Sequence, residues 1–146
     1  MRIACQEMPP EPVDPEHALD SAEEAAVRAA NRAFYDAFEA RDLDAMSDVW
    51  EHADHIVCTH PGWQTLRGWG AVSGSWFALF GTPGALQFIL TDEVVAVDGE
   101  AAWVTVDENL ISAESAGTVA ALNLFVRRDG RWRMVAHHGS PVASRS

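Results

Sequence analysis

The 146-residue sequence predicts an α+β domain, a cone-shaped and strongly curved antiparallel sheet closed by about three N-terminal helices around a cavity. Three observations carry this. Helical periodicity fills the first half of the chain, where Val27, Ala30, Phe34, Ala37 and Phe38 recur at three- and four-residue spacing. In the second half, Asp98-Gly99 and Asp129-Gly130 each stand between apolar runs, a hairpin signal because the central residues of a tight turn need positive φ. Finally, 48% of the residues are apolar and six are tryptophan, an aromatic mass that suits the wall of a cavity. The length serves one domain with a core of its own.

Taken in order, residues 1–20 hold Pro9, Pro10, Pro12 and Pro15 among acids and read as a flexible leader. Ser21-Ala22-Glu23-Glu24 reads as a capping box that starts the first helix. Asp42 caps a second, short helix with Leu43, Met46, Val49 and Trp50 inward and Asp44 and Asp48 outward. His55–His60 is a short strand stopped by Pro61-Gly62. Gly68 precedes a third helix on which Trp69, Val72, Trp76 and Phe80 share a face, and Gly81-Thr82-Pro83-Gly84 ends it. Strands follow over 86–97, 100–112, 118–128 and 131–140. The domain proper is 21–143, and 144–146 are a tail.

Strand alternation selects the candidate site residues. Counting back from Asp129-Gly130 pairs Phe125 with Met134, Asn123 with Ala136 and Ala121 with His138. The inner face then holds Trp132, Met134, Ala136, His138 and Asn123, and His137 faces outward. Counting from Asp98-Gly99 pairs Val97 with Glu100 and puts Glu108 at the end of a valine row on one face, with Asp107 as the alternative if a bulge shifts the register. A carboxyl and an imidazole on an apolar face are suited to moving protons, so Glu108, His138 and His60 are the candidate catalytic residues. Trp50, Trp63, Trp76, Phe88, Asn123 and Met134 are the candidate substrate-binding ones.

The succession of acid-rich helix, short helix ending in Trp50, strand with His60-Pro61-Gly62, helix with Ser75-Trp76, and terminal run Gly130-Arg131-Trp132-Arg133-Met134-Val135-Ala136-His137-His138-Gly139-Ser140-Pro141 resembles the SnoaL-like families of the nuclear-transport-factor-2-like superfamily. The resemblance covers roughly residues 21–143. It implies a curved sheet and helices around a deep cavity, and a homodimer formed through the sheet's outer face. It also implies a place among ketosteroid isomerases, scytalone dehydratases, polyketide cyclases and limonene epoxide hydrolases, beside relatives with no catalytic role. One fold hosts many functions. The reading is a dehydratase, isomerase or cyclase acting without a cofactor on a small apolar, carbonyl-bearing molecule, with a non-catalytic binding or dimerisation module as the alternative. The single tyrosine, Tyr35, stands on the first helix and has no obvious match to the tyrosine donor of ketosteroid isomerase.

Charge and composition narrow the partners. The net charge of −12 is concentrated in residues 1–54, where 14 acids face four arginines, and disfavours nucleic acid and anionic membranes. Arg127, Arg128, Arg131 and Arg133 flank a turn and lack interleaved aromatics for base stacking. Cys5 and Cys58 lie in unlike contexts and predict no disulfide; with no membrane-length apolar run and no signal-peptide core, a cytoplasmic protein is expected. His52-Ala53-Asp54-His55 resembles a two-ligand metal spacing, but nothing completes a set and no metal is expected.

Overall fold

A computed structural model describes residues 15–143 except 83, 85, 114 and 115. Three helices, α1 (Pro15–Ala40), α2 (Leu43–Val49) and α3 (Trp69–Phe80), pack on the concave side of one six-stranded sheet. Its strands are β1 (Val57–Thr59), β2 (Leu66–Arg67), β3 (Gln87–Asp98), β4 (Ala101–Ile111), β5 (Ala116–Arg128) and β6 (Arg131–Pro141), in spatial order β2-β1-β6-β5-β4-β3. All neighbours are antiparallel except β1 with β6. The fold class expected from the sequence is the one observed.

Helix α1 begins at Pro15, earlier than expected: Ser21 lies inside the helix, so the Ser21–Glu24 box is not its cap. Proline's fixed φ suits a first helical turn, and nothing between Glu16 and Asp20 breaks a helix. The rest of the expected leader, residues 1–14, lies outside the described residues. The stripe does face the core, with Val27, Phe34 and Ala37 buried and Ala30 and Phe38 partly so. The cap of α2 is as expected, since the Asp42 carboxylate accepts from the Ala45 amide at 3.1 Å. Strand β2 had no signal in the sequence.

The two hairpins differ. At Asp129-Gly130 both residues have positive φ, 53° and 73°, and Arg128 pairs with Arg131 as counted. At the other turn Asp98 pairs with Ala101, so Gly99-Glu100 forms the loop, with positive φ at Gly99 alone. The register moves there by two in the pairing sum, which preserves faces. Ala102, Val104, Val106 and Glu108 therefore point inward as expected, and Glu108 rather than Asp107 is the buried acid.

The expected register of β5 and β6 fails beyond Phe125–Met134. A bulge follows, and the pairs become Leu124–Ala136, Asn123–His137 and Leu122–His138. One extra residue on β6 reverses every side chain after it. His137 is buried and His138 is exposed, the opposite of the sequence expectation. The bulge lies where β6 changes neighbour on its other edge: Met134 bridges Trp50 and its carbonyl accepts from the Glu51 amide, whereas Ala136, His137 and His138 pair with Val57, Cys58 and Thr59.

Three of the four arginines at the hairpin end are tied to α1, to α2 and to the residue that follows Trp50. Arg127 pairs with Glu23 at 2.7 Å, Arg128 pairs with Glu51, and Arg131 donates to the Asp48 carbonyl. Farther along β6, a Cβ built on Gly139 would come within 3.0 Å of Val119 Cγ1 and 3.1 Å of Pro61 Cγ. This glycine lets the His60-Pro61 turn close over the end of β6. Gly139→Val is expected to destabilise the domain by about 1–3 kcal/mol, the usual cost of overpacking, read as a lowered urea midpoint at constant slope.

Candidate functional site

The polar groups of the interior come from four elements. Helix α1 presents Asn31 and Tyr35 one turn apart, both buried, among Val27, Phe34 and Phe38. Glu108 comes from β4, Asn123 from β5 and His137 from β6, and all three are nearly or fully buried. The Tyr35 hydroxyl donates to Glu108 Oε2 at 2.5 Å. Asn123 Nδ2 donates to Asn31 Oδ1 at 2.8 Å and to the Tyr35 oxygen at 3.2 Å, and Asn123 Oδ1 lies 2.6 Å from His137 Nδ1. The network reaches the surface through Asn31 Nδ2, which donates to Glu93, itself paired with Arg28.

His60, at the exit of β1, forms a second centre. Its Nε2 lies 2.8 Å from Ser75 Oγ on α3, and Cys58 Sγ sits 3.7 Å from the same nitrogen. The Trp76 ring meets His60 edge to face at 4.7 Å and lies 6.3 Å from His137, so one aromatic side chain joins the two centres. Phe34 packs on His137 at 4.8 Å, and Phe38 and Phe88 close the cluster beyond Tyr35 and Trp76.

Burial governs the electrostatics. It pushes Glu108 up to about 7, although the Tyr35 hydrogen bond pulls the other way. It raises Tyr35 far above the usual phenol range, helped by the neighbouring Glu108 charge. It lowers His60 to about 4, and His137 to about 3 with the help of the His60 and His138 imidazoles. It pushes the Cys58 thiol up to about 12, which leaves it inert as a nucleophile. At neutral pH the interior thus contains two uncharged imidazoles, one neutral phenol and one carboxyl poised between its two forms.

The structure brings together some of the sequence candidates and separates others. Glu108, Asn123 and His60 are in or beside the cluster; Trp50, Trp76 and Met134 are fully buried, and the indole nitrogens of Trp50 and Trp76 have no hydrogen-bond partner among the described residues. Phe88 is half-buried against Phe38, and Trp63 is 43% exposed with its ring edge-on to His60. His138 is on the other face of the sheet, at a 420 Å³ recess that Asp92 and Asp107 also border. His52 stacks on Trp69 and His55 pairs with Glu51, and among the described residues no three metal-ligating groups converge. Asn31, Tyr35, Ser75 and His137 were missed as site residues. The available signal was the placement of Asn31 and Tyr35, polar residues at core spacing inside the α1 stripe.

Two recesses approach the cluster from outside. One of 370 Å³ lies between α2 and α3 and has Met46, Trp69 and Trp76 in its wall; one of 280 Å³ lies at the C-terminal ends of α1 and α3 and has Phe38 and Phe80 in its wall. Trp76 and Phe38 thus stand between these hollows and the polar groups.

A curved sheet wrapped on three helices, with buried titratable groups between them, is the arrangement of the nuclear-transport-factor-2-like class. Within it the chain belongs to the SnoaL-like domain family, whose model matches residues 27–144. A candidate dehydratase of the NTF2-like family from Streptomyces avermitilis is 35% identical, with 86% of this chain and 99% of that one covered and a TM-score of 0.80. A candidate calcium/calmodulin-dependent protein kinase type II association domain from Thiobacillus denitrificans is 40% identical, covering 80% and 94% of the two chains with a TM-score of 0.69. The F-box protein SKIP8 of Arabidopsis thaliana is 29% identical over 115 residues, 79% of this chain and 49% of that protein, so the chain spans about half the length of this curated relative.

A carboxyl whose folded-state proton affinity exceeds its unfolded one binds more protons when folded, so its contribution to stability falls as pH rises from about 4.5 to about 7. The two buried imidazoles act in the opposite sense below about 6.5. Glu108→Gln removes the carboxyl contribution and retains an acceptor for Tyr35. The variant is expected to gain on the parent by on the order of 3 kcal/mol between pH 4.5 and 7.5, measured by urea unfolding at each pH.

Proposed function

We propose that this protein is a small-molecule acid-base enzyme of the dehydratase or isomerase type, acting in the cytoplasm, without a cofactor, on an apolar carbonyl-bearing substrate. The observation that carries the reading is the buried Glu108–Tyr35 pair joined through Asn123 to an uncharged His137. Its resemblance to a candidate dehydratase supports it. His137 takes the role that sequence alone gave to His138, since it shares the concave side with Glu108. Trp50, Trp63, Trp76, Phe88, Asn123 and Met134 form the surroundings of the substrate, and His60 is an auxiliary proton carrier.

In a dehydration, the His137 imidazole, a weak base because burial disfavours its cation, takes a proton from a carbon acidified by the neighbouring carbonyl, and the C–H electron pair becomes the new C=C bond. The bond to the β-oxygen breaks as protonated Glu108 gives its proton to the leaving hydroxyl, which departs as water. Proton return from the imidazolium to the Glu108 carboxylate restores the starting state. A proton affinity near neutrality lets one carboxyl serve in both directions.

The first half of this chemistry is tested by proton exchange at the α-carbon of α-tetralone in deuterated buffer. The protein is expected to accelerate exchange, and Glu108→Gln and His137→Gln to slow it by about 10²-fold or more, with His138→Ala unchanged. Exchange that is unaltered in both interior variants defeats the assignment.

A second reading, a non-catalytic binding or dimerisation module, draws on the sheet's outer face. Ile89, Val94, Trp103 and Leu122 are 54%, 61%, 39% and 40% exposed there, a set of apolar side chains of the kind that a partner surface covers. A second copy is the proposed cover in both readings. Light scattering is expected to give twice the 15.9 kDa chain mass at micromolar concentration, and Leu122→Glu to halve it. A monomeric parent protein refutes the dimer.

A further inference from the structure

The directions of the interior hydrogen bonds are fixed by their ends. Glu93 is a carboxylate held by Arg28, so it accepts from Asn31, and the Asn31 amide must turn its nitrogen toward Glu93 and its oxygen toward Asn123. Asn123 then turns its nitrogen to Asn31, leaving its own oxygen for His137. The second arm agrees: Tyr35 gives its one proton to Glu108, so its oxygen accepts from the same Asn123 nitrogen. Both amide protons of Asn123 are committed, and its oxygen meets His137 Nδ1 at 2.6 Å. That nitrogen has to supply the hydrogen.

We infer that Asn123 is a positioning residue which holds His137 in the Nδ1–H tautomer and leaves Nε2 as the imidazole's only lone pair. The inference rests on the reading of His137 as the interior base, and it names the chemistry that base accepts. Among the described residues Nε2 has no hydrogen-bond partner, so the substrate atom placed against it must carry a hydrogen, as an O–H or an acidified C–H does. A bare carbonyl oxygen would meet a lone pair there. The carbonyl has to be oriented toward a donor such as protonated Glu108 or the unpartnered Trp76 indole. The imidazole is thus oriented by an amide, with the Glu93 carboxylate and the Tyr35-bound oxygen of Glu108 behind it as the two acceptors toward which these protons point.

His60 supplies an internal reference of the opposite hand. Ser75 gives its proton to the Val72 carbonyl at 2.6 Å, so its oxygen accepts at 2.8 Å from His60 Nε2, which is therefore the protonated nitrogen. The two buried histidines of one chain are assigned opposite tautomers for independent reasons.

The test is a two-bond proton–nitrogen correlation spectrum of the imidazoles in the uniformly nitrogen-15-labelled full chain at neutral pH. His137 is expected to show Nδ1 as the protonated nitrogen, in at least about tenfold excess, the ratio one buried hydrogen bond sustains. His60 is expected to show Nε2 protonated in the same spectrum. Asn123→Asp retains an acceptor and is expected to keep the His137 pattern, whereas Asn123→Leu is expected to cut the excess about tenfold or more while leaving His60 unchanged. A parent protein with His137 protonated at Nε2, or an Asn123→Leu variant with an undiminished Nδ1–H excess, overturns the inference. If the leucine variant does not fold, the parent spectrum and Asn123→Asp decide: Nε2–H in either overturns it. Tautomers as expected without ketone exchange refute the enzymatic reading and leave the role of Asn123 in place.

Discussion

Strand β6 has to satisfy two different neighbours along one edge, and the interior depends on how it does so. Near the hairpin its neighbour is the segment after α2, through Trp50 and Glu51; farther on it is β1. The bulge after Met134 is where one gives way to the other, and the added residue re-aims the strand. Without it Asn123 would face Ala136, and the buried imidazole would be His138. With it, the donor of β6 meets the acceptor of β5 at 2.6 Å, and the remaining polar contacts of the interior follow.

The interior that results is an apolar core with a few linked polar groups in it, and it holds little charge. Burial suppresses the cationic form of both histidines and the anionic form of Tyr35, and leaves only Glu108 near its balance point. A buried charge without a partner is costly, while a buried neutral donor with an acceptor costs little. The amides of Asn31 and Asn123 make the difference, because each offers both donor and acceptor and so ties phenol, carboxyl and imidazole together without adding an ion. Around them the edge-to-face rings of Phe34, Phe38, Trp76 and Phe88 limit the number of polar partners available.

Much of this was legible in the sequence where a local rule decides the outcome. Asp129-Gly130 fixed its turn because both residues need positive φ, and Asp42 announced the cap of α2. The inward direction of Glu108 survived even though the turn slipped from Asp98-Gly99 to Gly99-Glu100, because a two-residue change keeps strand faces. His137 and His138 were misread because a bulge is set by a neighbouring strand that pairs from about 80 residues away in sequence, which alternation does not sense. Pro15 was read with the prolines before it as part of a leader, although a proline is compatible with a helix start. Tyr35 was judged by likeness to another enzyme's tyrosine, and its own position in the α1 stripe, four residues from Asn31, was not used.

That four-residue spacing makes α1 a ruler. An α-helix advances about 1.5 Å per residue, so the two side chains that anchor the interior network stand about 6 Å apart along a stiff rod, whatever the loops do. Length, more than composition, is then what the helix must conserve between Asn31 and Tyr35. Its outward positions, such as Arg32 and Asp36, are free to change identity. One residue added or removed between the anchors would swing Tyr35 about 100° round the helix axis, off the core face and away from Glu108.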